Sequence, residues 1–342
     1  MSLSLPDLGW SSFFAGQCAD ATGRPFRIAE VHRDRLTGLS PEGEATLICG
    51  AGLSTGDIAV GDWVLADAAG RITRLLDRRT EIKRRAAGTD AQAQLIAANV
   101  DVLFLTSSCN ADFNPARLER YLALARNAGA FPVLLLTKAD LSEDARDYTQ
   151  RGGRLDPMLP VLTIDARNPA DLAQVAAWVR PGQTAALLGS SGVGKSTLLT
   201  GLTGVEAPTQ GIREDDAKGR HTTTARALRR MSNGGWLIDT PGMRALRLTD
   251  AEKGIGAVFG DIEALAQSCR FSDCSHETEP GCAVQAAIAT GDLDPARLDR
   301  WRKLHRENAR NSETLAQARA RDKDFGKMLR RVKSDLKGRK GH

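Results

Sequence analysis

The octapeptide Gly189-Ser190-Ser191-Gly192-Val193-Gly194-Lys195-Ser196 separates two segments of unlike pattern. Before it lies the apolar run Thr184-Ala185-Ala186-Leu187-Leu188, which reads as a buried strand; after it, Thr197-Leu198-Leu199-Thr200-Gly201-Leu202 reads as a helix. A phosphate-binding loop needs that context. Gly189 and Gly194 permit backbone angles closed to other residues, so successive N–H groups can turn inward around phosphates at the positive end of the helix. In this role Gly189 through Gly194 form the cradle, Lys195 reaches the outer phosphates, the Ser196 hydroxyl holds Mg²⁺ and Thr197 carries the site into the helix. The competing reading is a chance glycine-rich strand-to-helix turn.

Working outward, strands alternate with helices from Gln94 onward. Val100 to Leu105, Val133 to Leu136, Val161 to Ile164 and Trp236 to Ile238 read as strands, with a helix from Pro115 to Ala128 and another ending near Trp178. The expectation is a parallel, doubly wound sheet with its ligand loops at the strands' C-terminal ends. Thr137-Lys138-Ala139-Asp140 matches the guanine-reading element [N/T]KxD. The two oxygens of Asp140 can accept from guanine N1–H and its exocyclic amine, a donor pair that adenine lacks. Thr137 stands where Asn is commoner, and Lys138 completes the element. Asp239-Thr240-Pro241-Gly242 matches DxxG, in which Asp239 supports Mg²⁺ through water and the Gly242 N–H contacts the γ-phosphate. Base recognition here precedes the phosphate loop, whereas ordinary GTPases run the other way. Because the termini of compact domains often lie close together, joining them and cutting elsewhere preserves the site. The order therefore predicts a circularly permuted GTPase domain over residues 91–250.

Residues 1–90 show short strand-like segments, Phe26 to Val31, Ala45 to Cys49, Trp63 to Ala66 and Arg71 to Leu76, separated by turn formers at Leu39 to Gly43, Gly50 to Gly52, Gly61-Asp62 and Asp67 to Gly70. An OB-fold β-barrel leads among small closed barrels. Arg71, Arg74, Arg78, Arg79, Lys83, Arg84 and Arg85 would line a groove that tracks a phosphate backbone, or form a solvated strand edge. Trp10, Phe13, Phe14, Phe26 and Trp63 are as readily core as base-stacking platforms.

The 342-residue chain carries a net charge of +5, of which the stretch from Arg319 to His342 supplies +7. Two separated basic surfaces suit a long polyanion better than a small acidic substrate. The N-terminus lacks a basic lead and a long apolar core, and no run is long enough to span a membrane, so a cytoplasmic protein without membrane partners is expected, as a monomer. Cys269, Cys274, His276 and Cys282 fall within fourteen residues of a C-terminal region, 251–342, that otherwise reads as helical from Asp294 to Arg310. Three thiols and one imidazole match a closed tetrahedral zinc site; reduced core cysteines beside a surface histidine are the alternative.

Phosphate loop, permuted order, basic barrel, cysteine cluster and the run Gly219-Arg220-His221-Thr222-Thr223-Thr224 together resemble the RsgA (YjeQ) family of circularly permuted GTPases, factors in small-ribosomal-subunit biogenesis. The resemblance covers nearly the whole chain. It implies that GTP is hydrolysed to GDP on the maturing small subunit, with rRNA contacts. It also implies that His-Thr-Thr-Thr is the first switch, with Thr223 contacting Mg²⁺ and the γ-phosphate. Where the family's base-contacting loop usually has Ser, this chain has Asp165-Ala166, which leaves Ala166 contacting the base through its backbone. Met243 follows DxxG, and a thioether cannot orient water. Slow intrinsic turnover is expected, with His221 a candidate for positioning water and a solvated loop histidine the competing reading. A P-loop kinase, or an RNA-binding module that uses nucleotide only structurally, remains open.

Overall fold

The computed structural model of the chain describes residues 3–19, 21–85, 93–206, 226–239 and 251–312. After a one-turn helix α1 (Ser12–Ala15) come β1 (Arg24–Val31), β2 (Leu36–Ser40), β3 (Gly43–Leu47), β4 (Trp63–Ala66) and β5 (Ile72–Leu75). β1 pairs antiparallel with β2 and β4, β2 with β3, and β4 with β5. A parallel bridge between Ile48 and Arg71 then joins the end of β3 to the start of β5. That closure makes the five-stranded barrel of an OB-fold. Alternating positions point Phe26, Ile28, Leu36, Leu47, Val64 and Ile72 into its interior. The turn expected over Leu39 to Gly43 is shorter than its composition suggests, because Leu39 and Ser40 finish β2 and Gly43 begins β3. Pairing on both sides overrides the weak strand propensity of Leu-Thr-Gly-Leu-Ser.

Aromatic residues of the barrel region go mainly to its core. Phe14, Phe26 and Trp63 are buried. Trp10 packs edge-on against Trp63 with ring centroids 4.8 Å apart, and Phe13 stays exposed beside Phe14. β6 (Glu81–Arg85) and β7 (Ala93–Ala98) form an antiparallel sheet of their own, and the boundary expected at residue 90 falls between them.

The central sheet is built from β8 (Val102–Ser108), α2 (Pro115–Ala128), β9 (Phe131–Thr137), α3 (Ala145–Gly153), β10 (Val161–Thr163), α4 (Pro169–Ala176), β11 (Thr184–Gly189), α5 (Lys195–Thr203), β12 (Ala227–Arg230) and β13 (Trp236–Asp239). Strands run β10-β9-β8-β11-β13 in space, all parallel. Their continuous apolar runs reflect burial on both faces. Leu103, Leu105, Leu134, Leu136, Ala186 and Leu188 face one layer with Leu118 and Leu122 of α2. Phe104, Val133, Leu135, Ala185 and Leu187 face the other with Val175 of α4 and Leu198 of α5. The expected parallel sheet needs one correction: β12 lies antiparallel to β13 and also pairs with β1, Glu30 opposite Ala227. A short antiparallel return can pair on both edges, so the central sheet continues into the barrel.

Buried polar groups pin this seam. Arg27, 2% exposed, donates to the Leu8 carbonyl and the Thr184 hydroxyl, and the Trp236 indole N–H donates to the Asp7 carbonyl at 2.7 Å. Burial pushes the Arg27 pKa down to about 10, opposed by Asp101, which leaves it charged at neutral pH.

Beyond residue 250 come α6 (Glu252–Val258), α7 (Gly260–Ala266), α8 (Ala283–Thr290) and α9 (Pro295–Ser312). Among the described residues no helix is long and apolar enough to cross a membrane. α6 approaches α2 so closely that a Cβ on Gly254 would lie 2.0 Å from the Ala123 carbonyl oxygen. α9 supplies Arg297 and Arg300 to the fully buried Glu119 of α2 at 3.2 and 2.7 Å, and Glu307 to Arg120. Burial pushes the Glu119 carboxyl up, and the two guanidiniums counter it. Glu119→Ala would take from Arg300 its 2.7 Å partner, while Arg297 keeps Asp261 at 2.7 Å; removing one partner of such a buried network costs about 3 kcal/mol, the low end of the usual range. A fall of that size in unfolding free energy by chemical denaturation is expected, and an unchanged midpoint would show that α9 is anchored elsewhere.

Candidate functional site

Parallel pairing brings the C-terminal ends of β8, β9, β10, β11 and β13 to one edge of the sheet, where such sheets bind ligands. The phosphate-type loop leaves β11 there and enters α5. Gly192 and Gly194 hold φ of +78° and +90°, with Gly194 as the N-cap of α5. Gly189, expected to need such an angle, does not adopt one. Its requirement is space, since a Cβ would lie 2.3 Å from the Thr106 carbonyl oxygen. Lys195 folds its ammonium over the loop, donating to the Gly189 carbonyl at 2.9 Å and to the Ser190 carbonyl. Val193 is buried beneath the loop, while Ser191, Ser196 and Thr197 are exposed on it.

Neighbouring loops are stitched to this one. The Thr137 hydroxyl lies 2.7 Å from the Val193 carbonyl and 3.1 Å from the Ser107 carbonyl. Lys138 sits in the left-handed region at φ 59°, and the Ala139 N–H donates to the Ile164 carbonyl at 3.3 Å, tying this turn to the end of β10. Arg167 donates to Asp140 at 2.8 Å, and its own N–H donates to Asp165 at 2.9 Å. Ala166 is buried beside them. The Ser190 hydroxyl donates to Asp112 at 2.7 Å, and Asp112 pairs with Arg117 at 2.9 Å.

Arg167 and Asp112 escaped the sequence reading. The residue following Asp165-Ala166 was a signal available for the first. Asp112 carries none, because its partner on the loop is remote in sequence. Asp239 ends β13 at the same edge; burial pushes its carboxyl up, opposed by Arg229 and Lys195. His221, Thr223 and Gly242 lie outside the described residues, as does the basic stretch from Arg319.

The basic cluster of the barrel is only partly a surface. Arg78 donates two hydrogen bonds of 2.7 Å to the fully buried Asp62, Arg79 pairs with Asp101 at 3.6 Å and Lys83 with Glu81 at 2.5 Å. Among the described residues of the cluster only Arg78 is drawn inward; Arg71, Arg74, Arg79 and Lys83 remain exposed.

Cys269, Cys274, His276 and Cys282 form the second constellation, with one ligand atom from each lying within 4.8 Å of all the others. Cys269 Sγ is 3.5 Å from His276 Nδ1 and 3.9 Å from Cys282 Sγ, and Cys282 Sγ is 3.6 Å from the same nitrogen. A tetrahedral ion with bonds of about 2.3 Å to sulfur and 2.0–2.1 Å to nitrogen needs edges of about 3.5–3.8 Å, so the donor set fits a closed metal site. His276 is buried at φ 60°, and its carbonyl accepts from Gln285 and Arg302. Ser275 and three backbone N–H groups hold the Glu279 carboxyl down to about 2, which fixes the turn between ligands.

The profile of the RsgA GTPase family matches residues 75–249. A relative from Mesorhizobium japonicum named small ribosomal subunit biogenesis GTPase RsgA is 53% identical over 96% of this chain and 97% of its own. This chain belongs to the RsgA GTPase family. An RsgA 2 from Vibrio parahaemolyticus is 45% identical over 98% of this chain and 94% of the relative. Two solved structures share the fold at a TM-score of 0.60. YjeQ from Thermotoga maritima is 24% identical, covering 83% of this chain and 98% of that one. YloQ, described as a circularly permuted GTPase, is 23% identical, covering 87% and 99%. Permuted loop order and the C-terminal cysteine cluster are thus features of an RsgA-family chain.

The cluster geometry sets an expectation of about one divalent ion per chain by elemental analysis, four donors closing one coordination shell. Cys274→Ser should lose that ion and lower the melting temperature, whereas full metal content in the variant would remove Cys274 from the set.

Proposed function

We propose that this RsgA-family protein hydrolyses GTP to GDP and phosphate in the late maturation of the small ribosomal subunit. The observation that carries the chemistry is the convergence on one sheet edge of a Gly-rich strand-to-helix loop, a carboxylate element of guanine-reading pattern and the aspartate of DxxG. Gly189 to Gly194 cradle the phosphates with Lys195, Ser196 and Thr197; Thr137, Lys138, Asp140 and Ala166 frame the base; Asp239 and Gly242 attend the γ-phosphate. Ser196 and Thr223 would hold Mg²⁺, which when bound neutralises charge developing between the β- and γ-phosphates. His221 is assigned to the attacking water on sequence grounds. The Cys₃His set is assigned structural zinc, since four N/S donors leave no open position.

The ribosomal part rests on the names carried by relatives about half identical over nearly the full length. Exposed Arg71 and Arg74 support rRNA contact by the barrel. The division of labour proposed is 1–90 for the barrel, 91–250 for hydrolysis and 251–342 for the metal region, in a cytoplasmic monomer. A P-loop kinase or a non-catalytic module fits the family less well, because its named members are GTPases.

Phosphate release from GTP by the full chain, with and without purified small subunits, tests the reading. Slow release accelerated by the subunit is expected, and no acceleration would remove the ribosomal part. Asp140→Asn should weaken guanine nucleotide binding about tenfold or more, since an amide cannot accept from both guanine donors. Unchanged selectivity over ATP in competition would remove Asp140 from base recognition.

A further inference from the structure

The reading above assigns guanine recognition to the loop after β9 but leaves open which edge of the base each residue reads. Thr137 ends β9 and is completely buried. Its hydroxyl has one proton to give, and both groups around it, the Val193 carbonyl at 2.7 Å and the Ser107 carbonyl at 3.1 Å, only accept. That proton is therefore committed inside the protein. Val193 belongs to the phosphate loop, so Thr137 stands on the phosphate side of the base site. A purine carries its ribose on the imidazole ring, and so turns that ring, with N7, toward the phosphate loop. N7 is an acceptor and needs a donor to be read. An asparagine amide has two N–H groups, enough for the Val193 carbonyl and N7 together; a threonine has no second donor.

We infer that Thr137 is a positioning residue: it ties the base-reading turn to the phosphate loop and leaves guanine N7 without a side-chain donor, so selectivity is carried by Asp140 on the opposite edge. This rests on the guanine reading proposed above. Three consequences follow. A nucleotide whose N7 is replaced by C–H should bind as tightly as its parent. One lacking the exocyclic amine should bind much less well, because Asp140, which Arg167 also contacts, then loses one of its two donors on the base. The arrangement also makes the base-reading turn and the phosphate loop one mechanical unit, since the Gly194 Cα sits where a Cβ would lie 3.5 Å from the same hydroxyl.

The test is calorimetric titration of the full-length protein with GDP, 7-deaza-GDP and IDP in the presence of Mg²⁺. Expected affinities are GDP and 7-deaza-GDP within about twofold of each other, and IDP weaker by about tenfold or more. In Thr137→Asn the added N–H should open a preference for GDP over 7-deaza-GDP of about three- to tenfold, a ratio that a merely structural role would not move. Thr137→Val, which keeps the shape and removes the hydroxyl, should weaken GDP and 7-deaza-GDP equally. A several-fold loss with 7-deaza-GDP in the native protein overturns the inference, and so does a ratio near one in a Thr137→Asn protein that binds GDP. Should Thr137→Asn fail to fold, the native ratio alone decides. Failure of the native protein to bind GDP at all would instead count against the guanine reading.

Discussion

Parallel pairing of β11 with β8 on one side and β13 on the other is the constraint on which the site depends. In a parallel sheet every strand ends on the same edge, so loops of distant sequence position meet without any local signal bringing them together. The register is deep: Thr184 to Gly189 pairs with Val102 to Thr106 or Trp236 to Ile238 on its two flanks, and each of these strands is buried on both faces. A slip by one residue would exchange the two hydrophobic layers and withdraw Gly189 from its contact with the Thr106 carbonyl. Nothing in that geometry depends on which loop comes first along the chain. Permutation therefore costs the site no contact, because hydrogen bonds and packing are made between strands and not between neighbours in sequence.

Legibility followed the range of the interactions. The Pro115–Ala128 helix was readable to the residue because Asn114 caps it, Pro115 opens it and Gly129 closes it in the left-handed region, all local devices. The glycine-rich loop, the [N/T]KxD turn and the ligand spacing from Cys269 to Cys282 were readable for the same reason. β2 was missed, and its last two residues read as a turn, since Leu36 to Ser40 has weak propensity and is held by partners on both edges. The antiparallel β12 was missed because its pairing with β1 joins residues nearly two hundred apart, Glu30 and Ala227. One of the charged residues counted as surface was in fact serving the interior: Arg78 neutralises the buried Asp62. Charge in a sequence says nothing about the partner that folding supplies.

That partition explains how three parts act as one molecule. Between barrel and sheet the β1–β12 ladder supplies backbone hydrogen bonds; the side-chain contacts that fix its angle are Arg27, desolvated between the Leu8 carbonyl and the Thr184 hydroxyl, and Trp236, donating to the Asp7 carbonyl. A hydrogen bond made by a buried charged group is costly to leave unmade, so the seam tolerates little rotation. The barrel is thereby held to the very strand that feeds the phosphate loop.

The C-terminal region is held to α2 by a comparable device. Asp112, just before that helix, accepts from Ser190 of the phosphate loop, while Glu119 and Arg120, near its start, grip α9. At a rise of 1.5 Å per residue Glu119 lies about 6 Å along the helix from its first residue, Pro115. Undocking α9 would strand the fully buried Glu119 carboxylate without cations, a state several kcal/mol uphill by the usual cost of an unpaired buried charge. The C-terminal region and α2 therefore move as one body over small displacements, and Gly254, with no side chain to separate α6 from the Ala123 carbonyl, keeps that contact rigid. Any rearrangement of the phosphate loop large enough to shift Asp112 must either carry the C-terminal region with it or break the Ser190 hydrogen bond first. Since a hydrogen bond to a charged group is worth about 1.5–3 kcal/mol and breaking a buried ion pair such as that of Glu119 costs about 3–5 kcal/mol, the break falls at Ser190.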